Sequence, residues 1–97
     1  MQVWYGPGDP RSAVIAEGIQ SASRALMPEN TRGIKEAGSN IYLLDRIETP
    51  AVLVECGFLS NPDEAQRLSD EAYRRAVAAV IFSGLAPHLS AAGEGSP

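Results

Sequence analysis

Ninety-seven residues, 44% of them hydrophobic and 21% charged, suffice for one small domain with a modest core. A net charge of −4 and the lack of any Lys/Arg run argue against nucleic-acid binding. With one His and one Cys, the chain supplies neither an internal disulfide framework nor an ordinary metal site by itself, and no apolar run approaches the roughly 20 residues of a membrane span.

The chain opens on Gln2-Val-Trp-Tyr5, rich in β-formers and closed by the turn signal Gly6-Pro-Gly8. There is no basic region followed by an apolar one, so no export signal is expected within the chain. The strand-like start reads as a chain cut from something longer. Asp9 and Pro10 suit a helix cap and first helical position. Ile15, Ile19, Ala22 and Leu26 recur on one face of the helix that follows, with Glu17, Gln20, Ser21 and Arg24 expected on the solvent side. Pro28 should stop this helix near Met27.

Glu29 to Asn40 is polar, contains Gly33 and Gly38, and reads as a long loop of the kind that often carries function. Ile41-Tyr-Leu-Leu44 is expected to be a short strand, and Ala51-Val-Leu-Val54 a second, buried one covered by helices on both faces. Asn61-Pro-Asp-Glu64 is a strong helix start: a capping Asn, Pro at the first position, then acids at the positive end of the dipole. That helix should end near Leu68. A longer one follows from Ser69 or Asp70, with Tyr73, Val77, Val80, Ile81 and Leu85 on one face and an end near Pro87. Residues 90–97 read as a flexible tail. The expected fold is α/β, in the order β-α-β-β-α-α.

Glu55 carries the chemical interest. A lone acid at the end of an apolar strand is costly unless it is paired or used. It could cap the turn at Gly57, pair with Arg32 or Arg46, or act as a catalyst. Cys56 should point to the opposite face, into a helix-packed core, which disfavours a thiol nucleophile. His88 falls near a helix C-terminus, where the dipole favours it, and Asn61 reads as a cap. Trp4 and Tyr5 are core aromatics or sugar-stacking groups. Asp63 and Glu64 are adjacent on a helix start, a poor arrangement for a two-carboxylate glycosidase. Gly6-Pro-Gly8 lacks the pattern of a phosphate loop.

The segment Pro50-Ala-Val-Leu-Val-Glu-Cys-Gly-Phe-Leu-Ser-Asn-Pro-Asp-Glu64 resembles the C-terminal signature of zinc-dependent N-acetylmuramoyl-L-alanine amidases. Thr31-Arg-Gly-Ile-Lys-Glu36, Asn40-Ile-Tyr-Leu-Leu44, Leu68, Tyr73 and Gly84-Leu85 agree, so the likeness covers roughly residues 2–86. The Glu29-Asn-Thr-Arg32 and Tyr42-Leu-Leu44 stretches are similar to the spore-cortex, CwlD-like branch. The resemblance implies a mixed, helix-flanked sheet of which this chain is the C-terminal half. Residues 1–89 would then belong to the catalytic domain. It also implies zinc held by His and Glu side chains of the first half. Neither a G-H-G-G-type nor an S-x-H-x-N strand end occurs here, so no metal ligand is expected in this chain. By resemblance, zinc activates a water, and Glu55 acts as general acid/base in cleaving the muramoyl–L-alanine amide of peptidoglycan. Arg32 and Lys35 would contact acidic groups of that substrate, or sit on a solvated loop. The implied location is the cell wall or outside the cell. The rival expectation is a non-catalytic half-domain that binds peptidoglycan or self-associates through an open sheet edge.

Overall fold

A computed structural model describes residues 1–94. Its elements are β1 (Gln2–Tyr5), α1 (Arg11–Ser23), β2 (Lys35–Glu36), α2 (Tyr42–Arg46), β3 (Val52–Glu55), α3 (Pro62–Ser69) and α4 (Glu71–Glu94). The α/β class holds. The order is β-α-β-α-β-α-α rather than β-α-β-β-α-α, for two local reasons.

The first is β2, two residues inside the expected loop. It is too short to show any period and exists because backbone pairs with backbone. Lys35 lies opposite Trp4 and Glu36 opposite Tyr5, in parallel, and Ala37 N donates to Tyr5 O at 2.9 Å. The second is Ile41–Leu44, expected as a strand and found as the start of α2. A four-residue apolar run cannot be assigned by periodicity alone. Here Ile41 N donates to Gly38 O and Asp45 N to Ile41 O, so the segment coils. Leu44 is thereby buried under the Gly6 turn, while Tyr42 and Leu43 stay exposed.

The sheet order is β2-β1-β3, with β3 antiparallel to β1 in the register Gln2↔Glu55, Val3↔Val54, Trp4↔Leu53, Tyr5↔Val52. Side chains alternate across a sheet, so this register sorts the strands into two faces. Val3, Tyr5, Val52 and Val54 join Met1, Ala16, Ile19, Met27 and Val77 in one core beneath α1 and α4. Cys56 and Ile34 pack against the same core, as does Tyr73, whose hydroxyl meets Met27 Sδ at 3.1 Å. The other face carries Gln2, which is buried, and Trp4, Lys35, Leu53 and Glu55, which are half-buried or exposed, Leu53 to 41%. Among the described residues, helices cover one face of β3.

The helices approach closely because glycine meets backbone at their crossing. A Cβ on Gly84 would lie 2.6 Å from Ile19 Cα, and one on Gly18 would lie 3.0 Å from Gly84 O. Gln20, expected on the solvent side, is completely buried. Its Oε1 accepts from Val3 N at 2.9 Å and its Nε2 donates to Met1 O at 3.2 Å, so it serves β1 backbone that β2 is too short to reach. A polar residue can hold a core position when both ends of its amide find partners.

α1 ends at Ser23, earlier than expected, and residues 24–27 tighten into turns in which Leu26 N and Met27 N donate to Ser23 O. Asn61 caps α3 as expected, its Oδ1 accepting from Asp63 N and Glu64 N. α4 buries the expected face, but it runs through Pro87 to Glu94. Proline removes the bond to the carbonyl four residues back, that of Ser83, and its ring crowds that carbonyl; Ser83 is exposed, so water can take the lost bond. Of the expected tail, residues 90–94 continue the helix and residues 95–97 lie outside the described residues.

Candidate active site

β3 carries Val52, Leu53 and Val54 into the sheet and ends on Glu55, directly opposite Gln2. Cys56 and Gly57 then turn the chain toward α3. Gly57 lets the turn pack closely on α3, since a Cβ would lie 3.0 Å from Leu68 Cδ1 and 3.6 Å from Glu64 Cβ. The turn is braced by Glu64, whose Oε2 accepts from Phe58 N at 3.3 Å. Sequence reasoning gave Glu64 only a dipole role. Its place one turn into a helix that folds back on its own approach strand is the signal that could have revealed the bracing.

Glu55 is thus released from holding the turn, and it forms no ion pair. Among the described residues the salt bridges join Arg11 to Asp9, Arg67 to Glu29 and Arg75 to Glu71. The cations considered as its partners are engaged elsewhere: Arg32 lies 4.6 Å over the Phe58 ring and Arg46 4.9 Å over the Tyr42 ring. The partner Glu55 does have is neutral. The indole Nε1–H of Trp4 donates to Glu55 Oε1. Trp4 and Glu55 are diagonal neighbours on one face of the antiparallel pair, which brings long side chains together. That neighbour was not foreseen, because it follows from the β1–β3 register and not from spacing within either strand.

The two cations proposed for substrate stand at the same end of the sheet. Lys35 is opposite Trp4 in the β2–β1 pair, with Nζ 5.3 Å from the Trp4 ring. Arg32 reaches Phe58, three residues beyond Glu55. Both side chains belong to exposed residues. A cleft of about 240 Å³ is lined by Arg32 with Met1, Asn30, Asn61, Glu64 and Arg67, among others, but not by Lys35, Trp4 or Glu55. Burial lowers the pKa of the Met1 amino group there, opposed by Glu64 and assisted by Arg32. Gln2 Nε2 donates to Gly33 O at 2.8 Å, tying the Arg32 loop to β1, while its Oε1 is buried without a protein partner.

Cys56 is half-buried against the core, away from Glu55, and His88 lies beside Gly18 near the far end of α4. They form no nucleophile–base pair across that separation. No three His, Cys, Asp or Glu side chains among the described residues come together to hold a metal. No helix among them is long and apolar enough to cross a membrane.

A mixed sheet thus carries Glu55, bonded to the Trp4 indole and outside the salt bridges of the described residues, to a braced strand–helix turn. Over residues 1–87 the chain matches the N-acetylmuramoyl-L-alanine amidase family, and it belongs to that family. It is 35% identical over 80 residues to the germination-specific N-acetylmuramoyl-L-alanine amidase of Bacillus subtilis (strain 168), covering 82% of this chain and 33% of that protein. It is 50% identical over 47 residues to the probable amidase AmiB of Haemophilus influenzae, covering 48% of this chain and 11% of that one. The fold superposes on the CwlD amidase from Clostridioides difficile, solved in complex with the GerS lipoprotein, with a TM-score of 0.83 and 36% identity. That match covers 93% of this chain and 46% of the CwlD chain, and supports the CwlD-like branch. The chain spans about a third of the length of the Bacillus amidase.

Proposed function

We propose that residues 1–89 form the C-terminal portion of a peptidoglycan amidase domain and that Glu55 is its general acid/base. The supporting observation is the environment of Glu55: a carboxylate at an open strand end, oriented by a neutral donor and free of any basic partner. An Arg partner would engage both oxygens. The indole engages one and leaves the other to move protons.

No three His, Cys, Asp or Glu side chains of the described residues come together as a zinc site, and the zinc that the family resemblance implies would need ligands from elsewhere in the complete domain. Glu55 works on protons. It accepts one from the water whose oxygen bonds to the lactyl carbonyl carbon. It delivers that proton to the L-alanine nitrogen as the C–N bond breaks, leaving a muramic carboxylic acid and a free amine. Arg32 and Lys35 flank this end of the sheet and would receive acidic groups of the glycan or stem peptide. The setting is the cell wall, outside the cell, with spore cortex as the branch that the CwlD likeness favours.

The test is Glu55→Gln in the complete domain. Peptidoglycan cleavage falls by about 10²–10⁴-fold, the usual contribution of a positioned acid/base, while metal content is retained. Loss of metal would instead make Glu55 a ligand or scaffold residue. The 97-residue chain alone is expected to be inactive. A second reading, a non-catalytic half-domain that binds peptidoglycan or self-associates, is favoured by one observation: β3 is an edge strand with Leu53 exposed. A molecular size that rises with concentration and ignores zinc would support it.

A further inference from the structure

We infer that Trp4 is a positioning residue for Glu55, with Lys35 acting on it from the opposite side. The inference rests on the reading of Glu55 as the acid/base. Three adjacent strands each contribute one member on the same face: Lys35 from β2, Trp4 from β1 and Glu55 from β3. The Trp4 indole N–H donates to Glu55 Oε1, and the Lys35 ammonium lies 5.3 Å from the centroid of the same ring.

The chemistry of each member fits this role. Indole N–H is a donor only, so it can fix a carboxylate oxygen without trading protons with it or cancelling its charge. A cation over the ring is attracted to its π density and polarises the indole, which makes the N–H a stronger donor. The core beneath α1 and α4 is filled from the other face by Val3 and Tyr5. Trp4 is instead half-buried on the open face, where the polar edge of its ring is its distinguishing property. Phe or Tyr would give similar contact area without the indole N–H.

The chain has a single tryptophan, so ¹⁵N labelling gives one indole signal that reports on this contact alone. The charged groups facing it are Glu55 and Lys35; Glu64 stands at the same end but is held on Phe58 N. The indole proton is expected to shift through one carboxylate titration step, and Glu55→Gln is expected to abolish that step. Lys35→Met should keep the step and reduce its amplitude. An indole signal that does not respond to acid, or a step that survives Glu55→Gln and so belongs to a neighbour such as Glu64, overturns the inference.

Turnover supplies the second arm, in the complete domain. Trp4→Phe is expected to lower kcat by roughly 10- to 100-fold, the range for losing a group that orients a reacting one, with KM little changed. An unchanged kcat overturns the positioning role even where Glu55→Gln is inactive. Should Glu55→Gln stay active, the acid/base reading fails by itself, and the indole titration still decides whether Trp4 holds Glu55.

Discussion

On one face of the sheet Val3, Tyr5, Val52 and Val54 lie beneath α1 and α4, and Val3 has no exposed surface. On the other, Trp4, Leu53 and Glu55 come from the same strands, one residue out of phase, and with Lys35 of β2 stay half-buried or exposed. The covered face satisfies its polar groups internally, as Gln20 does for Met1 and Val3, and so contributes stability. The open face holds a carboxylate on a single neutral donor, the setting proposed for an acid/base. Strand alternation lets one short segment serve both ends, at the cost of an apolar Leu53 left in solvent.

Substitutions on the two faces should therefore differ in kind as well as in size. The largest structural effect is expected from Gly84→Val, since its side chain must enter the backbone of α1 at Ile19. Overpacking of this sort costs about 1–3 kcal/mol, and a denaturant midpoint measures it. Gln20→Leu comes next, because it takes the Gln20 partner from Val3 N–H while Met1 C=O keeps Asn30 Nδ2 at 2.8 Å, a loss of about 1–3 kcal/mol partly offset by the added apolar contact. Leu53→Thr, on the open face, should stay within about 0.5 kcal/mol, and a larger loss would mean that this face is covered in solution.

The smallest effect is a pH dependence remote from both faces. Hydrogen bonds from the Arg11 side chain and backbone hold the Asp9 carboxyl below its ordinary value of 3.8. A depressed folded pKa stabilises above the unfolded value, and that stability is lost as pH falls through the folded one. Asp9→Asn should therefore remove a small part of the acid sensitivity of unfolding below about pH 4, measured as the slope of stability against pH.

How much of this was legible depended on the length and locality of each signal. The Asn61 cap, the α4 face and the Pro50–Glu64 segment were readable because the residues that cooperate lie within a few positions of one another. β2 was not, because its two residues are a strand only in relation to Trp4 and Tyr5, about thirty positions earlier. α2 was misread because four apolar residues fit either period. The burial of Gln20 is not legible because its partners are backbone atoms, which no side-chain pattern encodes. At the candidate site, Glu55 stood out as an acid among apolar residues, whereas Trp4 became its partner only through a register set by the fold.

The division of labour between the faces is tested most directly by one paired measurement: melting temperature and peptidoglycan amide cleavage for Glu55→Gln beside Val3→Ala, both in the complete domain. Glu55→Gln is expected to melt with the parent and to have lost cleavage. Val3→Ala is expected to lose about 2 kcal/mol of stability while its folded fraction cleaves normally. A Glu55→Gln variant that still cleaves, or that melts as early as Val3→Ala, would contradict the account.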